Sequence, residues 1–138
     1  EFIGEFNGVN FYDDYGHHPT EIKATTRALK NYTKGKLIVV FQPHRYTRTR
    51  DNFYDLSKSF EYSDKTLITD IYSAGEKPIP GVSSLMFESE KIKYIKSPRM
   101  VPSYLKNNIS PGDTVLTIGA GDITLLGPQI LKYLNENK

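Results

Sequence analysis

The chain has 138 residues, 38% hydrophobic and 25% charged, with seven Phe, ten Tyr and no Cys; this fits one soluble globular domain with a single core and excludes a disordered chain. The formal net charge of +2 gives bulk electrostatics no argument for nucleic acid or membrane binding, and no apolar run approaches the roughly 20 residues that span a bilayer. The lack of cysteine excludes a disulfide framework and thiolate metal sites, and it suits the cytoplasm.

Val9 to Tyr12 reads as a first strand. Pro19 to about Tyr32 reads as a helix, with Pro19 at its first position, Glu21 in its first turn and Gly35 closing it. Its expected apolar stripe is Ile22, Thr25, Leu29 and Tyr32. "KLIVVFQ", 36 to 42, is a continuous apolar run of the kind buried on both faces of a parallel sheet. A helix from about Thr47 to Phe60 places Phe53, Leu56 and Phe60 on one face, and "TLITDI", 66 to 71, is the next strand. The Gly and Pro content of "YSAGEKPIPGVSS" makes it a loop. Residues 83 to 90 hold a short helix, "KIKYIK" a strand and 98 to 108 a helix, with Pro102 near its start. "DTVLTIG", 113 to 119, is a further buried strand. The last helix presents Ile123, Leu126, Ile130 and Leu134, and Pro128 kinks or restarts it. Strands alternating with helices imply a three-layer α/β fold: a mainly parallel, Rossmann-like sheet of about five to six strands with helices on both faces, forming a single domain over residues 1–138.

In open parallel sheets, ligands bind outside the carboxyl ends of the strands. "DDYGHHPT", "QPHRYTRTR", "DIYSAGE" and "GAGD" all follow predicted strands, and they hold all three histidines and three of the five arginines. Arg45 and Arg48, three apart at a helix start, can hold a carboxylate or phosphate bidentately, aided by free amides of the helix N-terminus. The same spacing also suits surface pairs with Asp51 or Asp55. "GAGD", 119 to 122, permits close approach of a ligand to backbone, or is simply a tight turn with Asp122 as a helix cap. It is not the dinucleotide fingerprint, because position 124 is Thr.

His17 and His18 beside Asp13 and Asp14 raise a metal site. Adjacent residues in extended backbone point in opposite directions, however, and only His44 remains as a third imidazole, so no metal site is assigned. Without a ligand in view, His18 caps the helix and Asp14 makes an Asx-type turn. No phosphate loop of the G-x-x-x-x-G-K-[ST] type and no serine nucleophile elbow occurs. The chain begins at Glu1 without methionine, which reads as a piece of a longer protein.

"DDYGHHPTEI", "VFQPHRYTRTRD", "YSAGEKPIPGV" and "GDTVLTIGAGDI", in that order and spacing, closely resemble the C-terminal domain of the Mur ligases of bacterial peptidoglycan synthesis. The resemblance covers essentially the whole chain. Tyr15 and Gly16 favour the L-alanine-adding branch over the tripeptide-recycling one, which usually reads Asp-Asp-Phe-Ala-His-His-Pro. It implies a cytoplasmic, ATP-dependent ligation in cell-wall biogenesis, with UDP-N-acetylmuramate, L-alanine and ATP as partners. The UDP-sugar domain and the central ATPase domain, which carries the magnesium ligands, would lie outside this chain. It also implies residue roles. Asp14 hydrogen-bonds the ATP ribose with Tyr15 nearby, and His17 faces the reaction centre, looking across to Arg45 and Arg48. Those two arginines, with His44, bind the alanine carboxylate, and Gly119 to Asp122 line the same pocket. Ala74, Gly75 and Glu76 belong to a motif to which the resemblance assigns no particular contact. A stand-alone nucleotide- or carboxylate-binding module is the reading of another class.

Overall fold

The computed structural model describes residues 1–138. Six strands form one sheet: β1 (Phe2–Phe6), β2 (Val9–Asp14), β3 (Leu37–Phe41), β4 (Lys65–Ile68), β5 (Ile92–Tyr94) and β6 (Thr114–Ile118), in the spatial order β1-β2-β6-β3-β4-β5. All neighbours are parallel except β1 and β2, which pair antiparallel. The helices are α1 (Pro19–Tyr32), α2 (Tyr46–Asp51), α3 (Phe53–Ser59), α4 (Val101–Lys106) and α5 (Leu126–Glu136), with 3-10 turns at Ser84–Phe87, Pro98–Met100 and Asp122–Leu125.

The period of two along the strands divides the core. Ile38, Val40, Leu67, Val115 and Phe11 meet Val101 and Leu105 of α4 and Ile130 and Leu134 of α5. Leu37, Val39, Phe41, Ile68, Leu116 and Ile118 face the other way, onto Ile22 of α1, Leu56 of α3 and Phe60. Every residue of β3 and β6 is buried, as apolar runs covered by helices on both faces require. The expected three-layer α/β architecture is therefore present.

Several local expectations are corrected. Strand β1 was not among the predicted elements. Asn7 (φ 47) and Gly8 (φ 82) form a two-residue hairpin loop that pairs Phe6 with Val9, the turn type that Asn-Gly favours. The helix expected over 47 to 60 breaks at Asn52, whose φ of −110 and ψ of 15 leave the helical region. In α1, Thr26 rather than Thr25 is buried, one turn on from Ile22, and its hydroxyl is satisfied by donating back to Ile22 O at 2.8 Å. Tyr32 is 86% exposed and packs in no core. The helix expected over 98 to 108 is a 3-10 turn leading into the shorter α4, and the one at 83 to 90 is only the 3-10 turn Ser84–Phe87. Pro128 restarts rather than kinks the last helix: it sits in the first turn of α5, where its missing N–H leaves no bond broken.

Candidate functional site

Strands β2, β6, β3 and β4 run in one direction, so their carboxyl ends form one edge. From it come residues 15–18, 119–122, 42–46 and 69–76. At the end of β2 the two aspartates face opposite sides. Asp13 accepts from Thr117 Oγ1 at 2.6 Å, and burial raises its pKa against the effect of that bond. Asp14 accepts from Gly16 N at 3.1 Å, closing the Asx-type turn, and from Thr25 Oγ1 at 2.6 Å. Its carboxylate thus arrives already oriented, with lone pairs to spare for a further donor. Tyr15 is 64% exposed.

His18 occupies the N-cap position of α1. Glu21 reaches back so that Oε1 accepts from His17 N at 3.2 Å and His18 N at 3.1 Å. These bonds hold the Glu21 carboxyl below the usual range. The two imidazoles do not point apart as expected. Their ring centroids are 5.1 Å apart, although His18 itself, at φ −82 and ψ 145, keeps an extended backbone. His17 Nδ1 is buried without a hydrogen-bond partner, and its ring lies 6.4 Å from that of His44. His17 thus neighbours both His18 and His44, and His44 in turn bonds Arg48.

His44 Nδ1 accepts from Arg48 Nη1 at 3.3 Å. A guanidinium can only donate, so Nδ1 must be unprotonated. Burial first, then the charges of Arg48 and Arg45, lower the His44 pKa, which favours this neutral ring. Arg45 opens α2 at φ 74 and ψ 140, a conformation that costs an L residue on the order of 1–3 kcal/mol and persists only when surroundings enforce it. They do: its N–H donates to Tyr72 O at 2.7 Å, and its carbonyl accepts from Thr49 N at 3.1 Å. Its side chain makes no ion pair. Asp51 pairs instead with Arg50 at 2.9 Å, and neither Arg45 nor Arg48 pairs with any carboxylate. The expected alternative of surface pairs with Asp51 or Asp55 is thereby excluded.

The free helix amides expected to assist the arginines are not all free. The Glu76 carboxylate accepts from Thr47 N at 3.1 Å and from the Thr47 hydroxyl. Glu76 is the residue for which sequence reasoning found no contact.

Gly119 has φ +154, and a Cβ there would lie 2.7 Å from Ile123 Cγ2 and 3.1 Å from Gln42 O. The turn bends the chain back over the sheet edge, where Gly121 lies against Tyr72 and the Gln42 side chain. Asp122 is exposed and begins the 3-10 turn, whose N-cap is Gly121, so Asp122 is not the cap that its type suggested. Gln42 Oε1 and Thr69 Oγ1 are also buried without partners. These polar residues end two apolar strand runs, a signal that sequence reasoning passed over.

The edge is an open wall. The hollow of about 670 Å³ lies beside it, between α1 and α3, lined by Lys23, Arg27, Asp55 and Lys58 among others. No three His, Asp or Glu side chains converge as metal ligands.

The family model for the Mur ligase, glutamate ligase domain, matches residues 1–121. The chain belongs to the Mur ligase family. Among curated Mur ligases, the UDP-N-acetylmuramate–L-alanine ligase of Caldanaerobacter subterraneus subsp. tengcongensis is 47% identical over 144 residues, covering 100% of this chain and 31% of that protein. The enzyme of the same name from Carboxydothermus hydrogenoformans is 46% identical over 137 residues, covering 95% and 30%. The chain thus spans about 30% of the length of the curated relatives it matches. The crystal structure of UDP-N-acetylmuramate-alanine ligase from Thermotoga maritima has a TM-score of 0.73 at 20% identity, over 96% of this chain and 28% of that one. A murein peptide ligase from Psychrobacter arcticus has 0.75 at 19%, over 97% and 29%. Both show the shared fold. Gly16, one of the two residues that favour the alanine branch, discriminates modestly: an alanine Cβ there would meet Glu21 Cβ at 3.3 Å, a contact a small shift relieves.

Proposed function

We propose that this chain is the C-terminal domain of an ATP-dependent ligase that joins L-alanine to UDP-N-acetylmuramate. The observation that carries the reading is the pair of guanidiniums, Arg45 and Arg48, held at the sheet edge with no carboxylate partner of their own. The whole-chain similarity to alanine-adding ligases supports the choice of acceptor.

In this reading ATP phosphorylates the lactyl carboxylate of UDP-N-acetylmuramate, and the L-alanine amine displaces phosphate from the acyl phosphate, giving amide, ADP and phosphate. The UDP-sugar-binding and ATPase domains lie elsewhere in the polypeptide, and any magnesium ligands lie with them. This domain alone is inactive. Its own residues do three things. Arg45 and Arg48 take the alanine carboxylate, which turns the amine toward the acyl phosphate, the positioning effect that makes a bimolecular step effectively unimolecular. Neutral His44 orients Arg48. Asp14 accepts from a ribose hydroxyl of ATP beside Tyr15, while His17, its Nδ1 unpartnered, offers a hydrogen bond to phosphate or the incoming amino acid. Gly119 to Asp122 line the same pocket.

The test is phosphate release by the full-length protein with UDP-N-acetylmuramate and ATP, comparing L-alanine with the cell-wall tripeptide. Release dependent on L-alanine supports the reading. Release with the tripeptide and none with L-alanine assigns the recycling ligase instead, and release with neither leaves a binding module.

A further inference from the structure

The six-residue helix α2 is too short to be stable by itself, and its N-cap residue, Arg45, makes no side-chain cap. What fixes it comes from residues 72–76. Tyr72 N donates to Pro43 O at 2.8 Å and Tyr72 O accepts from Arg45 N at 2.7 Å. The chain then reverses through Ala74 at φ 50 and Gly75 at φ 89, with Glu76 N donating to Ser73 O at 3.0 Å. That reversal delivers the Glu76 carboxylate to Thr47, whose amide and hydroxyl it accepts. The Thr47 bonds, an amide of Tyr46 and the charge of Arg45 keep the Glu76 carboxyl below its usual range.

We propose that Glu76 is the positioning residue of the guanidinium pair: bound to Thr47, it fixes the first turn of α2 so that Arg45 and Arg48 project together. This rests on the function proposed above for the same site.

The experiment uses the full-length ligase and steady-state phosphate release with Glu76→Ala, Glu76→Gln and Thr47→Val. Glu76→Ala raises KM for L-alanine by about tenfold or more, as loss of positioning does, and leaves KM for ATP and for UDP-N-acetylmuramate within about twofold. Glu76→Gln, whose Oε1 accepts from Thr47 N and whose Nε2 donates to Thr47 Oγ1 in place of the bond that Glu76 Oε2 accepts, recovers most of the loss. Thr47→Val, which keeps the amide and deletes the hydroxyl, falls between. An L-alanine KM within about twofold of wild type in Glu76→Ala overturns the proposal, as do three KM values rising together or Glu76→Gln no better than Glu76→Ala. If Glu76→Ala fails to fold, the Gln and Val variants decide alone. Wild-type dependence on L-alanine tests the function separately. If the tripeptide replaces it, the same comparison is read on the tripeptide KM.

Discussion

Gly119 is a point at the site edge where a single added methyl group should destabilise the fold. The added Cβ of Gly119→Ala would sit 2.7 Å from Ile123 Cγ2 and 3.1 Å from the Gln42 carbonyl oxygen. Ile123 is 1% exposed, so its side chain has nowhere to go, and the Gln42 carbonyl is backbone. Overpacking of this kind costs about 1–3 kcal/mol. The φ of +154, outside the range L residues favour, adds about 1–2 kcal/mol. Together they give roughly 2–5 kcal/mol, which at roughly 3–4 °C per kcal/mol for a domain of this size lowers Tm by about 6–20 °C. Gly81→Ala is the control. Its φ is +81, and nothing lies within 4 Å of the added Cβ, so only conformational strain of about 1 kcal/mol is expected. Thermal unfolding followed by circular dichroism on the 138-residue domain compares the two. A Gly119→Ala shift no larger than that of Gly81→Ala would refute the close-packed turn.

Two further outcomes follow from the geometry of the edge. Asp14→Ala in the full-length enzyme should raise KM for ATP by about tenfold or more, on the scale of a lost hydrogen bond to a charged acceptor; unchanged ATP saturation would count against a ribose contact. The His44 ring should titrate below the ordinary imidazole value of 6.5, because burial and then Arg48 and Arg45 disfavour its cation. It is therefore more than half neutral, and able to accept from Arg48, at pH 6.5 and increasingly so above it. An NMR titration should find a midpoint below that value, moving up in Arg48→Ala; a midpoint at or above it would contradict the neutral acceptor.

The architecture was legible because β3 and β6 carry uninterrupted apolar residues that only a sheet covered on both faces can bury. Strand β1 escaped notice because Phe2–Phe6 is short and half-exposed and carries Gly4, although Asn7-Gly8 was a direct hairpin signal. The single helix expected over 47 to 60 failed at Asn52, since a periodic apolar face says nothing about one non-helical residue within it. At the sheet edge, residue type and spacing singled out Arg45 and Arg48, whereas the roles expected of His44 and Asp14 came from the family resemblance. The tie from Glu76 to Thr47 spans 29 positions and depends on two successive left-handed residues, so no local pattern announces it. The lack of a partner for Arg45 and Arg48 was likewise invisible from spacing, because Asp51 and Asp55 stood near enough in sequence to pair with either.

The central claim is that the guanidiniums bind the carboxylate of the amino-acid acceptor. Its most direct test removes the charge from each side: wild-type and Arg48→Ala full-length enzyme, each assayed with L-alanine and with L-alaninamide. If Arg48 contacts that carboxylate, each deletion alone costs about tenfold or more in kcat/KM, and the second costs little once the first is made. Penalties that multiply fully, with L-alaninamide losing as much in Arg48→Ala as L-alanine does, would contradict the account.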